Sequence, residues 1–374
     1  MRVLAIAGGL FAYAAQVGAA PALTASDLRQ GQVAASISPY DRDGLYPTAV
    51  ILYGRVNAGL RRPDPPPQRN DVDPCAAGSP EPRAAWKLDS VERSRWGLMS
   101  TEVLDGGHRA HFQLEQSLSL DNGEPRGPCM LTFDARATVG LSDRRWGRLD
   151  LGRIDQAAWL LALRADPWRG SGTASPDWRS YVTPERGATR TGGSITYQSP
   201  QDHPLQISVQ VGRPLLSDPD RHGWGTSLVW DQLPWLVGLG WQAWPGGSWA
   251  LPVVVAHDTG IWRWSTAVTA GQLAGADYTN VFVGLSTPRM SKGTPEREEW
   301  RLGLNLHKVQ AGQLGDWQSD FKLGAGWRYR FSRSAWVAVG GAWVRPQQAP
   351  SYAVFDISLT YAFERNIRVP QWPR

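Results

Sequence analysis

The sequence has little cysteine, few methionines and no long apolar run beyond its first residues. Two cysteines, Cys75 and Cys129, stand among 374 residues. They exclude a densely disulfide-stapled scaffold, and their spacing matches no metal-ligand pattern. Past residue 23 nothing approaches the stretch of about 20 apolar residues that a membrane-spanning helix requires. A polytopic helical bundle is therefore excluded. Charge of one sign is also scarce: 39 Lys and Arg face 34 Asp and Glu, a net of +5. No basic block stands out, so nucleic acid is not an expected partner. The six histidines, His108, His111, His203, His222, His257 and His307, lie in no Gly-x-Ser-x-Gly or His-Glu-x-x-His setting. No catalytic residue, metal site or cofactor is expected.

What is present in excess is tryptophan, 20 residues, beside 40 glycines. Mean hydropathy is nevertheless negative, at −0.36. Many aromatics and glycines without an internal apolar run point to many short strands. The first residues form a separate unit. Met1-Arg2 is followed by an apolar or small stretch to Ala22 with an Ala-x-Ala-like end, the pattern of a secretory signal peptide. Residues 1–22 are read as that signal and 23–47 as an N-terminal extension. Export permits disulfides, so Cys75 and Cys129 either pair or remain free thiols.

From Thr48 onward the chain alternates with period two, the signature of strands. His108 to Leu118 puts Ala110, Phe112 and Leu114 on one face and Arg109, His111, Gln113 and Glu115 on the other. Glu299 to His307, Trp317 to Phe331 and Tyr352 to Phe363 repeat the pattern. About sixteen such segments fit between 48 and 363. Their longer members exceed the usual soluble strand of about 5–6 residues and reach the length of about 9–11 that spans a membrane at a tilt. Period alone does not say which face points outward. A soluble sandwich or lipocalin-like barrel turns the apolar face in; a membrane barrel turns it out to lipid and the polar face to water. Strand length, the signal segment and the tryptophan excess favour the membrane barrel, with Arg109, His111, Gln113 and Glu115 lining the pore.

Residues 48–363 also resemble the general porins of Gram-negative outer membranes, in their β-proteobacterial form. The carriers are Ile51-Leu52-Tyr53-Gly54-Arg55-Val56-Asn57-Ala58-Gly59, then Ser94-Arg95-Trp96-Gly97-Leu98, Glu102-Val103-Leu104-Asp105-Gly106-Gly107 and Ala110-His111-Phe112-Gln113-Leu114-Glu115. Ala137-Thr138-Val139-Gly140-Leu141, Leu151-Gly152-Arg153 and Arg190 with Ser194-Ile195-Thr196-Tyr197-Gln198-Ser199-Pro200 follow in the family's order. The second half matches in pattern and length only.

The resemblance implies an all-β fold: a transmembrane antiparallel barrel of about 16 strands with a long third loop folded into the lumen. It further implies a homotrimer in outer-membrane lipid that passes small hydrophilic solutes and ions. Carried over by motif, Arg55, Arg95 and Arg190 are the basic wall of the constriction and Asp166 is the facing loop acid. The family often has Arg where this chain has Ala135, and a one-residue slip reverses the face, which leaves Arg136 out of the pore set. Three arginines against one loop acid imply a weak anion preference. Two features depart from the family: the N-terminal extension and the residues 364–374 that follow Phe363. A substrate-specific channel and, further off, a barrel enzyme are the competing readings. The first calls for an aromatic track along the lumen, the second for a nucleophile and base on one rim.

Overall fold

The computed structural model describes residues 48–62, 86–120, 123, 125, 132–176, 189–214, 222–273, 275–287, 290–291, 294–295, 297–311, 316–332, 334–347 and 349–367. The signal segment, the N-terminal extension and both cysteines lie outside the described residues.

Sixteen long strands build the wall. They are β1 (Thr48–Arg61), β2 (Ser94–Val103), β3 (Arg109–Leu118), β4 (Arg136–Asp143), β5 (Gly147–Asp155) and β6 (Arg190–Gln198). Then come β7 (Leu205–Pro214), β8 (Gly223–Gln232), β9 (Trp235–Ala243), β10 (Trp249–Asp258) and β11 (Arg263–Leu273). The last five are β12 (Ala276–Ser286), β13 (Glu298–Ala311), β14 (Asp316–Arg330), β15 (Ala335–Arg345) and β16 (Tyr352–Ile367). Each pairs antiparallel with its sequence neighbours, and β1 pairs with both β2 and β16. The sheet is thus closed and has no free edge, the device by which a sheet satisfies its backbone in lipid. β16 runs four residues past Phe363, to Ile367, against β1.

Burial decides which face is out. On β4, Val139 is 57% exposed and its neighbour Thr138 5%; on β16, Leu359 is 57% exposed and Ser358 2%. The same alternation runs through Ile195, Ile207, Val209, Leu302, Leu304, Leu323 and Ile357, all exposed. An aqueous barrel with this surface would expose a continuous apolar band, far beyond what soluble monomers tolerate. Lipid is the solvent that fits.

The tryptophans sort onto this band. At the end where β1 begins and β16 finishes, Trp300, Trp327, Tyr329 and Phe331 form a chain of ring contacts, and Trp235 meets the stacked rings of His257 and Trp264. At the opposite end Trp241 stacks on Trp249 and meets Trp224 at a tilt, and Phe321 meets Trp343 edge to face. Two aromatic girdles flanking an apolar band mark the two interfaces of a membrane barrel. Not every tryptophan is outside. Trp159 and Trp168 lie within the barrel, and Trp336 faces inward beneath the guanidiniums of Arg328 and Arg330.

The connections at the opposite end are longest in the first half of the chain, and 215–222 is of intermediate length. Residues 62–93, 119–135 and 156–189 join strands there, but 244–248, 274–275, 312–315 and 346–351 are short. At the near end one connection, 287–297, is long and carries a small hairpin of Met290–Ser291 with Thr294–Pro295.

Candidate functional site

The connection from β5 to β6 turns into the barrel. It opens with a helix, α1 (Ala157–Ala165), written Ala-Ala-Trp-Leu-Leu-Ala-Leu-Arg-Ala, almost all strong helix formers. Pro167 follows two residues beyond its end, where a proline suits a helix that must stop. Ala158, Leu161, Ala162 and Ala165 are buried at helical spacing. They pack on Val229, Leu236, Val254, Ala256 and Ala267, inward residues of β8 to β11. Hydrophobic burial inside a polar lumen thus holds the loop to one wall. Fully burying a side chain such as Leu161 or Trp168 contributes about 1.5–3 kcal/mol.

The wall beneath the loop is floored with glycine. A Cβ on Gly238 would lie 2.3 Å from Leu161, on Gly303 2.6 Å from Trp168, on Gly324 2.3 Å from the Ala174 carbonyl and on Gly326 2.7 Å from Trp168. Only the missing side chains let the loop lie flush. Hydrogen bonds pin it along its length. Arg164 reaches Asp231 and Gln206, Ser265 donates to the Ala165 carbonyl, and Lys322 donates to the Ser175 carbonyl. The amide and hydroxyl of Thr173 both donate to Asp356, the hydroxyl at 2.5 Å.

Asp166 is on this loop, but its carboxylate turns into the loop itself. It accepts from the Trp168 amide at 2.9 Å, the Gly170 amide at 2.7 Å and the Ser175 hydroxyl at 2.6 Å. Burial pushes its carboxyl above the usual range, an effect the three donors only partly offset. It fixes the turn rather than facing the basic wall.

The other expected residues converge on the inner face of β1 to β6. Arg55 and Arg95 are direct partners across β1 and β2. Like charges so placed repel, and each has its own carboxylate. Arg55 lies 4.0 Å from Glu92, and Arg95 donates to Glu115 at 3.0 Å. From Glu115 a polar chain runs on. Tyr53 donates to Glu115 at 3.0 Å, Gln113 to Tyr53 at 2.6 Å, Arg136 to Gln113 at 3.1 Å and to Asp155 at 2.8 Å. Arg190 closes the row 3.1 Å from Asp155. Arg55, Arg95 and Arg190 therefore belong to one ladder, and Asp166 does not join it.

Arg136 corrects the sequence reading. β4 begins at Arg136, so Arg136 shares its face with Thr138 and Gly140 and points inward. The sequence reading also leaves Glu92 and Asp155 unassigned. Glu92 sits just before β2 and accepts from Arg328 at 2.9 Å, while Arg301 pairs with Glu299 at the same distance. Burial opposes the ionisation of Glu92, yet Arg328, Arg55 and Arg301 hold it below the usual carboxylate range. The four residues expected along β3, Arg109, His111, Gln113 and Glu115, all lie on its inward face. His111 bonds Asp150 at 2.9 Å, and Arg148 grips the same carboxylate through two nitrogens.

Side-chain exposure gives the ladder its sign. Arg95 is 24% exposed against 8% for Glu115, and Arg55 13% against 6% for Glu92. The carboxylates of Glu92 and Glu115 sit behind their guanidiniums, whereas Asp155 is as exposed as Arg136 and Arg190, so the positive charge offered to the lumen is at Arg55 and Arg95.

A family model described as Gram-negative porin matches residues 10–368. An outer membrane porin protein of Bordetella pertussis is 30% identical over 171 residues, which is 43% of this chain and 42% of that protein. The chain thus matches less than half the length of this curated relative. Among solved structures, an anion-selective porin from Comamonas acidovorans superposes with a TM-score of 0.64 at 17% identity, over 84% of this chain and 100% of that one. The trimer form of OmpT from Vibrio cholerae gives 0.60 at 11% identity, over 85% of this chain and 100% of that one.

Proposed function

The chain belongs to the Gram-negative porin family, and we propose that it forms a water-filled channel in the outer membrane for passive diffusion of small hydrophilic solutes and ions. The observation that carries this is the inversion of faces in a closed sheet: apolar side chains outward, a charged ladder inward. A pore acts by dimension and field, and rings or rows of charge bias which ions enter. Here the row presents Arg55 and Arg95 in front of Glu92 and Glu115, with Arg136 and Arg190 beside an equally exposed Asp155. Arginine stays charged and holds a rigid fork of donors, which suits a fixed selectivity element. In the described part of the loop, Arg164 is paired with Asp231, and the one acid, Asp166, is buried. We therefore assign the channel a weak anion preference, in the same sense as the anion-selective porin from Comamonas acidovorans.

The constriction residues are Arg55, Arg95, Arg136 and Arg190, with Asp166 as the residue that shapes the loop opposite them. The assembly is a homotrimer, as in the OmpT trimer form. Residues 1–22 serve as a secretory signal and 23–47 as a periplasmic extension. The family and the fold are those of a channel rather than an enzyme. Purified protein in planar bilayers is expected to give discrete conductance steps and, on unboiled gels, to migrate as a heat-modifiable trimer. Absence of steps from folded protein would overturn the channel, and a folded monomer would overturn the assembly.

A further inference from the structure

The loop's second arm, 171–175, does not lie flush along its whole length. Between it and the wall is a cavity of about 20 Å³, lined by Ser171, Gly172 and Ala174 from the arm and Gly340, Asp356 and Ser358 from β15 and β16. A water needs roughly 10–15 Å³ of such room and two to four polar partners. Asp356 and Ser358 are two residues apart on the inward face of β16, 5% and 2% exposed. The Ser358 hydroxyl is buried with no hydrogen-bond partner. Both bonds from Thr173 fall on Oδ2 of Asp356. The carboxylate faces Gly340, where a Cβ would stand 3.1 Å from Oδ1 and 3.2 Å from Oδ2, and the absence of that Cβ leaves the space open. Buried hydroxyls in native proteins find partners, and an orphaned one beside a carboxylate oxygen and a water-sized space is the signature of bound solvent.

We propose that this cavity is a built site for one ordered water, which donates to Asp356 Oδ1, exchanges a hydrogen bond with Ser358 Oγ and completes the attachment of the loop arm to the wall. Glu92 and Arg301 also line the cavity and pair their charges through Arg328 and Glu299. The water makes Ser358 a positioning residue for the loop: it acts through the water on Asp356, and through Asp356 on Thr173. Bridging waters of this kind hold nearly as well as direct bonds.

A crystal structure of the wild-type porin at a resolution that orders solvent tests the site. The expected result is one peak within about 3.2 Å of both Ser358 Oγ and Asp356 Oδ1. An empty cavity, a Ser358 hydroxyl turned onto a protein group, or an anomalous peak there after a rubidium soak overturns it. The positioning role is read on Ser358→Ala in bilayers. Mean conductance is expected to hold while open-channel noise rises. Noise equal to wild type with the water present overturns the positioning role.

Discussion

The two walls of the barrel are built from the same kind of strand and differ in what their inner faces do. Along β1 to β6 the inward side chains are charged and bonded to one another, from Arg55 to Arg190. Along β8 to β14 the patch beneath the loop is apolar or glycine, Val229, Leu236, Gly238, Val254, Ala267, Phe282, Gly303 and Gly324, and charged groups such as Arg301, Lys322 and Arg328 border it. The first wall faces water and sets a field. The second is the core of a small soluble domain turned inside out, and its partner is the loop. The difference teaches that a lumen need not be uniformly polar. One wall carries the chemistry, and the other positions the element that narrows the pore.

The largest effect is expected from filling the glycine floor. Gly303→Leu drives a side chain into Trp168, costs about 1–3 kcal/mol of overpacking and pushes the loop off the wall. Conductance in bilayers is expected to fall and the unfolding temperature on unboiled gels to drop. A change at Gly275, which has open space around it, serves as the control, its positive φ of 84° permitting only a mild Gly275→Asn substitution. If Gly303→Leu conducts as wild type, the floor does not hold the loop.

The next effect tests the charged wall. Arg95→Glu removes the most exposed guanidinium of the ladder and sets a carboxylate beside Glu115. The reversal potential in a salt gradient is expected to move toward cations, with the barrel intact. An unchanged potential would remove Arg95 from the constriction.

Asp166 separates the two walls most cleanly. As a turn-fixing residue it matters for stability and not for selectivity. Asp166→Asn places an amide among three donors, and an unsatisfied buried donor costs about 1–3 kcal/mol. Loop protection in hydrogen exchange is expected to fall while the reversal potential holds. A clear shift toward anions would restore Asp166 to the lumen surface.

The smallest effect is on pH. Glu92 is held below its ordinary value by Arg328, Arg55 and Arg301. An acid depressed in the folded state contributes stability above its unfolded pKa, about 4.3 for Glu, and loses it as pH falls through the folded value. As pH falls through that lowered value, protonation frees Arg328 and Arg55, and anion preference is expected to strengthen. Glu92→Gln should abolish that part of the response, measured as reversal potential against pH.

The sequence shows the charged wall better than the apolar one, for a physical reason. Alternation is visible where one face meets lipid and the other water, as on β3, β13 and β16. On β10 both faces are apolar, because lipid lies on one side and α1 on the other. Val253 to Ala256 then reads as a continuous run, and the strands from 224 to 290 are the hardest to count. The helix itself is legible in Ala158, Leu161, Ala162 and Ala165, a spacing hidden among the strand signals around it. Aligning Ala135 to a motif misplaces Arg136, whose phase with Thr138 and Gly140 puts it inward. Asp166 shows the limit of a carried-over motif. An acid at the right place in a loop does not reveal whether it faces the pore or its own backbone.

The lumen's exposed charge is positive because the guanidiniums of Arg55 and Arg95 stand in front of the carboxylates of Glu92 and Glu115. The direct measurement is the zero-current potential of the reconstituted wild-type channel across a potassium chloride gradient. Discrete channels are expected, with a potential of the sign that means chloride passes more readily than potassium. Channels that pass potassium more readily would contradict it.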